Sequence, residues 1–161
     1  MDYLISPATI EDAANIAHLR ALMFNDQGSF ESAQLLEMEV RYTQWVADKL
    51  RSGDYWGWFA KSLRGELVGS AGLWLREWPP ILKDYTGRQG YIENVYVMPA
   101  FRRKGVARQL MLTLLDWARS SGRIYNIELH ATTMAHELYQ SLGFESDDGR
   151  MGLWIGPIHS E

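Results

Sequence analysis

The chain has no cysteine, which excludes disulfides, thiol nucleophiles and thiolate metal sites. It also lacks any apolar run near the roughly 18 residues that a membrane-spanning helix needs. Basic residues are in the minority, 16 Lys and Arg against 20 Asp and Glu, for a net charge of -4. Binding a phosphate polymer needs a basic face, so nucleic acid is not expected as a partner. The start, Met1-Asp2-Tyr3-Leu4-Ile5, has no basic segment followed by a long apolar one. No signal peptide is therefore expected, and a cytoplasmic location without a membrane partner is the default. Repeats, low-complexity tracts and linkers are absent too. With 47% hydrophobic residues, residues 1–161 read as one globular domain.

What is present is an alternation of strands and helices. Tyr3-Leu4-Ile5 reads as a first strand. Thr9 with Asp12 resembles a capping box that opens a helix, ended near Gly28. A second helix spans about 32–50, and Ser52-Gly53-Asp54 stops it. Residues 55–60 and 66–75 form an antiparallel hairpin. A loop over 77–90 leads to a strand over 91–98, stopped by Pro99. A helix over about 105–120 and a strand over 124–129 follow. Strand, helix and strand in this order make parallel neighbours with a right-handed crossover. A helix over 133–142 ends at Gly143. Phe144-Glu145 and the segment 151–155 close the sheet as a hairpin across Asp147-Asp148-Gly149. The expected fold is α/β, a mixed sheet of six to seven strands flanked by four helices.

The charge is unevenly spread. Arg102, Arg103, Lys104 and Arg108 place four positive charges in seven residues, where a strand gives way to a helix. The first N–H groups of a helix have no internal partner and lie at the positive end of its dipole, which makes an anion site. Gly105 and Ala107 are small enough to let a phosphate approach. Neither G-x-x-x-x-G-K-[ST] nor G-x-G-x-x-G occurs, so the usual nucleotide loops are excluded. His136-Glu137-Leu138-Tyr139-Gln140 stops one residue short of H-E-x-x-H, and no other cluster has metal-ligand spacing.

The block Ile92-Glu93-Asn94-Val95-Tyr96-Val97-Met98-Pro99-Ala100-Phe101-Arg102-Arg103-Lys104-Gly105-Val106-Ala107 resembles the central block of the GNAT superfamily of acyltransferases, whose signature is Q/R-x-x-G-x-G/A after a strand. Leu138-Tyr139-Gln140-Ser141-Leu142-Gly143-Phe144 is similar to its second hallmark, a tyrosine shortly before Gly-Phe. The resemblance covers about 66–145. It implies an N-acetyltransferase that moves the acetyl group of acetyl-CoA directly to a primary amine. It further implies that Arg102, Arg103, Lys104, Gly105, Val106 and Ala107 hold the CoA pyrophosphate. Val95, Tyr96 and Val97 would pair with the pantetheine arm as an added strand does, between parallel strands splayed apart. One departure is Ala131-Thr132-Thr133-Met134, where many relatives carry an Asn that contacts CoA.

Acetyl transfer needs a base for the amine, a donor for the oxyanion and an acid for the leaving thiolate. Tyr139 is the candidate acid, and the alternative for it is packing on Leu138 and Leu142. Glu93 is the candidate base, because a carboxylate in an apolar strand needs a partner or a use; an Arg partner or a water base is the alternative. An amide near Val95 would meet the oxyanion. His130 ends a strand and either lines the cleft or is a satisfied structural histidine, the second being the reading taken. For the acceptor, a small-molecule or peptide amine, the resemblance points to Phe24, Asn25, Asp26, Phe30, Trp74, Trp78, Pro79, Pro80 and Tyr85. Aromatic faces with an acid nearby suit an ammonium. An apolar edge at Leu153, Trp154, Ile155 and Ile158 serves either a homodimer or the core. A non-catalytic acyl-CoA-binding module on the same fold is the competing reading.

Overall fold

In the computed structural model, which describes residues 3–147 and 150–156, seven strands form one sheet in the order β1-β2-β3-β4-β5-β7-β6. They are β1 Tyr3–Pro7, β2 Tyr55–Ser62, β3 Leu67–Glu77, β4 Arg88–Val97, β5 Asn126–His130, β6 Glu145–Asp147 and β7 Arg150–Trp154. Four helices accompany them: α1 Ala13–Gln27, α2 Ser32–Ser52, α3 Val106–Ser121 and α4 His136–Ser141. Among the described residues only β4 and β5 pair in parallel, joined by α3 as the crossover. The expected mixed α/β fold is present. No helix among the described residues is long and apolar enough to cross a membrane.

The local reasons follow the sequence. The Asp12 carboxylate accepts the Thr9 N–H at 2.8 Å, and a 3-10 turn over Ile10–Asp12 leads into α1. Gly53 ends α2 at φ 76, and Gly122 ends α3 at φ 61, conformations that glycine adopts without a side-chain clash. In α3, Val106, Leu110, Met111, Leu114, Leu115 and Ala118 are buried, the spacing of one helical face. They pack on one side of the sheet with Leu73, Ile92, Ile127, Leu129 and Tyr139. On the other side α1 and α2 cover Tyr55, Phe59 and Tyr96 with Ile16, Leu19 and Val46.

Two boundaries differ from the sequence reading. β4 begins at Arg88, three residues before the expected start, and pairs with β3 as far as Glu77. Gly90 lies in the strand at a crowded point, where a Cβ would sit 2.8 Å from Ile124, 3.0 Å from Leu73 and 3.3 Å from Ile127. The helix expected over 133–142 is split into a 3-10 turn, Thr133–Ala135, and the short α4. Leu153 and Ile155 pack against the larger core, and Trp154 packs on Tyr125 with ring centroids 6.2 Å apart. The expected turn at Asp148-Gly149, the first residues Met1-Asp2 and the edge residue Ile158 lie outside the described residues.

Candidate functional site

The sheet parts at its parallel pair. β4 and β5 are in register only from Gln89 with Asn126 to Ile92 with Leu129, yet β4 runs on to Val97. Residues 93–97 therefore turn one backbone edge to an open seam. β4 is also bulged there. Ser70 pairs with Tyr96 and Gly72 with Glu93, so Asn94 and Val95 together oppose Ala71. Asn94 takes φ 57, a region that Asn tolerates better than most residues. The extra residue places Glu93 and Asn94 on the same face, toward α1 and α2, instead of on alternate faces.

A buried polar network holds the bulge. Arg20 of α1 donates to Asn94 Oδ1 at 2.7 Å and to Glu93 Oε2 at 3.3 Å. The Tyr42 hydroxyl of α2 donates to Glu93 Oε1. Asn94 Nδ2 donates to Tyr42 at 2.7 Å and to Tyr55 at 2.9 Å. Ser70 Oγ donates to the Asn94 carbonyl at 3.0 Å. Tyr55 reaches across β3 only because residue 72 is glycine; any side chain there would collide with the Tyr55 hydroxyl. Burial raises the Glu93 carboxyl above its ordinary value, and the bonds from Tyr42 and the nearby Arg20 charge pull it down without cancelling that rise. Burial also pushes Tyr42 and Tyr55 far up, so both stay neutral. Glu93 is thus both desolvated and paired. Arg20 lies over the Phe24 and Tyr42 rings at 4.9 and 4.5 Å. With Gln34, Glu37, Met38, Arg41, Tyr42 and Trp45 it lines an open depression of about 490 Å³.

Tyr139 is 5% exposed, edge-on to Phe144 at 5.9 Å. Its hydroxyl has no hydrogen-bond partner among the described residues, and burial alone pushes it up to about 12. It is both packed and unpaired, which suits a group that bonds to something the protein does not supply.

In the basic loop, Arg103 and Gly105 take φ 60 and 81, so Gly105 is needed for its conformation, and a Cβ at that position would meet only open space. The N–H groups of residues 103–108 find no backbone acceptor among the described residues. The Arg102 guanidinium turns inward. Its Nε donates to the Val97 carbonyl at 2.8 Å, and it forms an ion pair with Asp26, which also accepts from the Tyr96 hydroxyl at 2.9 Å. Lys104 Nζ donates to Ala100 O, and Arg108 to Ser141 Oγ. Sequence reasoning put Asp26 at the acceptor; the structure ties it to the loop and to the end of β4. The hydrogen bond from Arg102 holds Asp26 below its ordinary value. A lowered folded pKa stabilises the protein above the unfolded value, and that contribution disappears as pH falls through the lowered one. Asp26→Asn is accordingly expected to melt below wild type at pH 7, with the gap closing as pH falls below the ordinary aspartate value of about 4. Thermal melts of both proteins across that range check it.

Of the aromatic residues expected at the acceptor, Trp74 and Trp78 are already engaged by a side chain of the protein itself. The Arg76 guanidinium lies 4.4 Å from the Tyr91 ring, 5.1 Å from Trp78 and 5.9 Å from Trp74. It donates to Gln89 Oε1 at 2.6 Å and to Glu128 at 3.3 Å. Trp74 packs edge-on to Trp45, centroids 5.1 Å apart, while Tyr85 is exposed. Phe24 and Phe30 form an edge-on pair at 6.2 Å. Among the described residues no three His, Asp or Glu side chains gather as a metal site would require.

The structure thus has a mixed sheet opened at one parallel pair, with a bulge beside the opening and a basic loop leading into a helix, as the resemblance to acyltransferases implied. Residues 17–144 match the model of the Acetyltransferase (GNAT) family, and the chain belongs to that family. It is 32% identical over 110 residues to a glucosamine 6-phosphate N-acetyltransferase of Trypanosoma brucei brucei, covering 67% of this chain and 71% of that protein. A GCN5-related N-acetyltransferase from Ralstonia eutropha superposes with a TM-score of 0.78 at 28% identity, over 91% of this chain and 95% of that one. An acetyltransferase from Clostridium acetobutylicum solved with acetyl-CoA has a TM-score of 0.81 at 24% identity, over 91% and 92% of the two chains.

Proposed function

We propose that this acetyltransferase moves the acetyl group of acetyl-CoA directly to a primary amine, using one domain over residues 1–161. The observation that carries the reading is the parting of β4 and β5 beside the bulge at Glu93 and Asn94. Amides of Arg103 to Ala107 hold the CoA pyrophosphate at the start of α3, with Arg102 fastening that loop to the end of β4. The pantetheine arm takes the place of the missing strand along Val95, Tyr96 and Val97. The acceptor nitrogen attacks the thioester carbonyl, and the Val95 N–H meets the developing oxyanion, a contact worth about 100-fold or more in rate. As the C–N bond forms, Glu93 takes a proton from nitrogen, directly or through a water. As the C–S bond breaks, Tyr139 protonates the departing sulfur.

The acceptor class is a small amine. Proteins of this kind that the chain resembles are named for glucosamine 6-phosphate and, over 60 residues at 30% identity and 41% of that protein's length, for aminoglycosides. Thiol release from acetyl-CoA is measured with glucosamine 6-phosphate, an aminoglycoside, 2-phenylethylamine and a lysine peptide as acceptors. Turnover with a small amine is the expected result. Reaction with the peptide alone overturns the acceptor class. Tight CoA binding without turnover on any amine overturns catalysis in favour of a binding module.

A further inference from the structure

His130 is the last residue of β5 and stands one place beyond the final β4–β5 pair, Ile92 with Leu129. Alternation along β5 puts it on the face of Glu128, and the pairing of Glu128 with Tyr91 aligns that face with Tyr91 and Glu93 of β4. The Tyr91 hydroxyl lies 2.7 Å from His130 Nδ1, and the two rings pack 6.0 Å apart. The bond pins the imidazole at the head of the seam. Its Nε2 has no partner among the described residues, and the residue is exposed. Glu93 differs: Tyr42 occupies one of its oxygens and Arg20 the other.

The chemistry needs two proton acceptors. A primary ammonium loses two protons on becoming an amide. The equivalent of one ends on the CoA sulfur, and the other goes to water. The first must leave before the nitrogen has a lone pair with which to attack. We propose that His130 is the catalytic base for this first proton, taking it from the acceptor ammonium at Nε2 and releasing it to solvent. Glu93 then takes the second proton as the C–N bond forms. Imidazole is the side chain suited to such exchange near neutral pH, and an exposed ring unloads to bulk water more readily than the buried Glu93 carboxyl, whose proton replaces, through solvent, the one that Tyr139 gives to the sulfur. The charged and titratable groups facing it are Tyr91 and Glu93 on β4, Glu128 on β5 and Arg76 on β3, with Arg20 and Tyr42 behind Glu93. Arg150 is its backbone partner on β7.

This inference rests on the acetyl-transfer reading, and the test separates the two. Thiol release is followed from pH 6 to 10 for wild type, His130→Gln and Tyr91→Phe. The acceptors are the four amines above and hydroxylamine, which is largely unprotonated at neutral pH. For the protonated amines, His130→Gln is expected to lower kcat/KM at pH 7 about 30- to 100-fold, with the gap closing near pH 10 as the amine ionises by itself. Tyr91→Phe gives a smaller loss of the same pH shape. With hydroxylamine both variants stay within about threefold of wild type, since no ammonium proton has to be removed. Equal losses at every pH and with hydroxylamine assign His130 to packing and overturn the proposal, as does an unchanged kcat/KM. A wild-type protein inactive on every acceptor overturns acetyl transfer itself.

Discussion

Tyr139→Phe is expected to lower kcat about 100-fold, the low end of what a positioned acid contributes, with little change in the KM for acetyl-CoA or in melting temperature. The substitution keeps the ring that packs on Phe144. It removes only a hydroxyl that no group among the described residues uses, so none of them is left unpaired. The raised value of about 12 makes the phenol a weaker acid than a model thiol in water. The same dry surroundings raise the leaving thiolate as well, so donor and acceptor move up together and the transfer remains matched. Steady-state kinetics on the best acceptor decide the matter. An unchanged kcat reduces Tyr139 to a packing residue and moves the acid role to water.

Asn94→Ala is expected to destabilise the fold by about 3 kcal/mol. Alanine at φ 57 costs roughly 1 kcal/mol. The Tyr42 and Tyr55 hydroxyls lose a donor and Arg20 loses an acceptor, and buried groups left unpaired cost about 1–3 kcal/mol each before relaxation. Asn94→Gly keeps the bonding loss and relieves the backbone, so it should fall between alanine and wild type. Urea unfolding of the three proteins measures both parts. Equal stability of wild type and Asn94→Ala would show that the bulge is held by the strands alone.

Much of this was legible in the sequence, for reasons that can be named. The four basic residues and the small Gly105 and Ala107 within 102–108, the helix behind them and Tyr139 before Gly143-Phe144 are local signals, and local signals survive without coordinates. Glu93 announced itself as a carboxylate in an apolar run. The bulge one residue later did not, because its stabilising partners are far away in the chain: Arg20, Tyr42 and Tyr55 precede Asn94 by 74, 52 and 39 residues. One signal was available, since Asn is a poor strand former and a good left-handed residue. Strand β4 was read three residues short because Gly90 looks like a turn in sequence and is a packing contact in space. The inward turn of Arg102 was hidden for the same reason as the bulge: Asp26, its partner, is 76 residues away.

Arg76 has a consequence for selectivity. Its guanidinium already sits against Tyr91, Trp78 and Trp74 while bonded to Gln89 and Glu128. An acceptor cation that approaches these rings meets a tethered competitor, present at an effective concentration on the order of millimolar or higher. At the acceptor site proposed above, the rings are therefore expected to offer little to a ligand's positive charge and to favour acceptors that bind by shape, by hydroxyl groups, or by an anion facing the arginine.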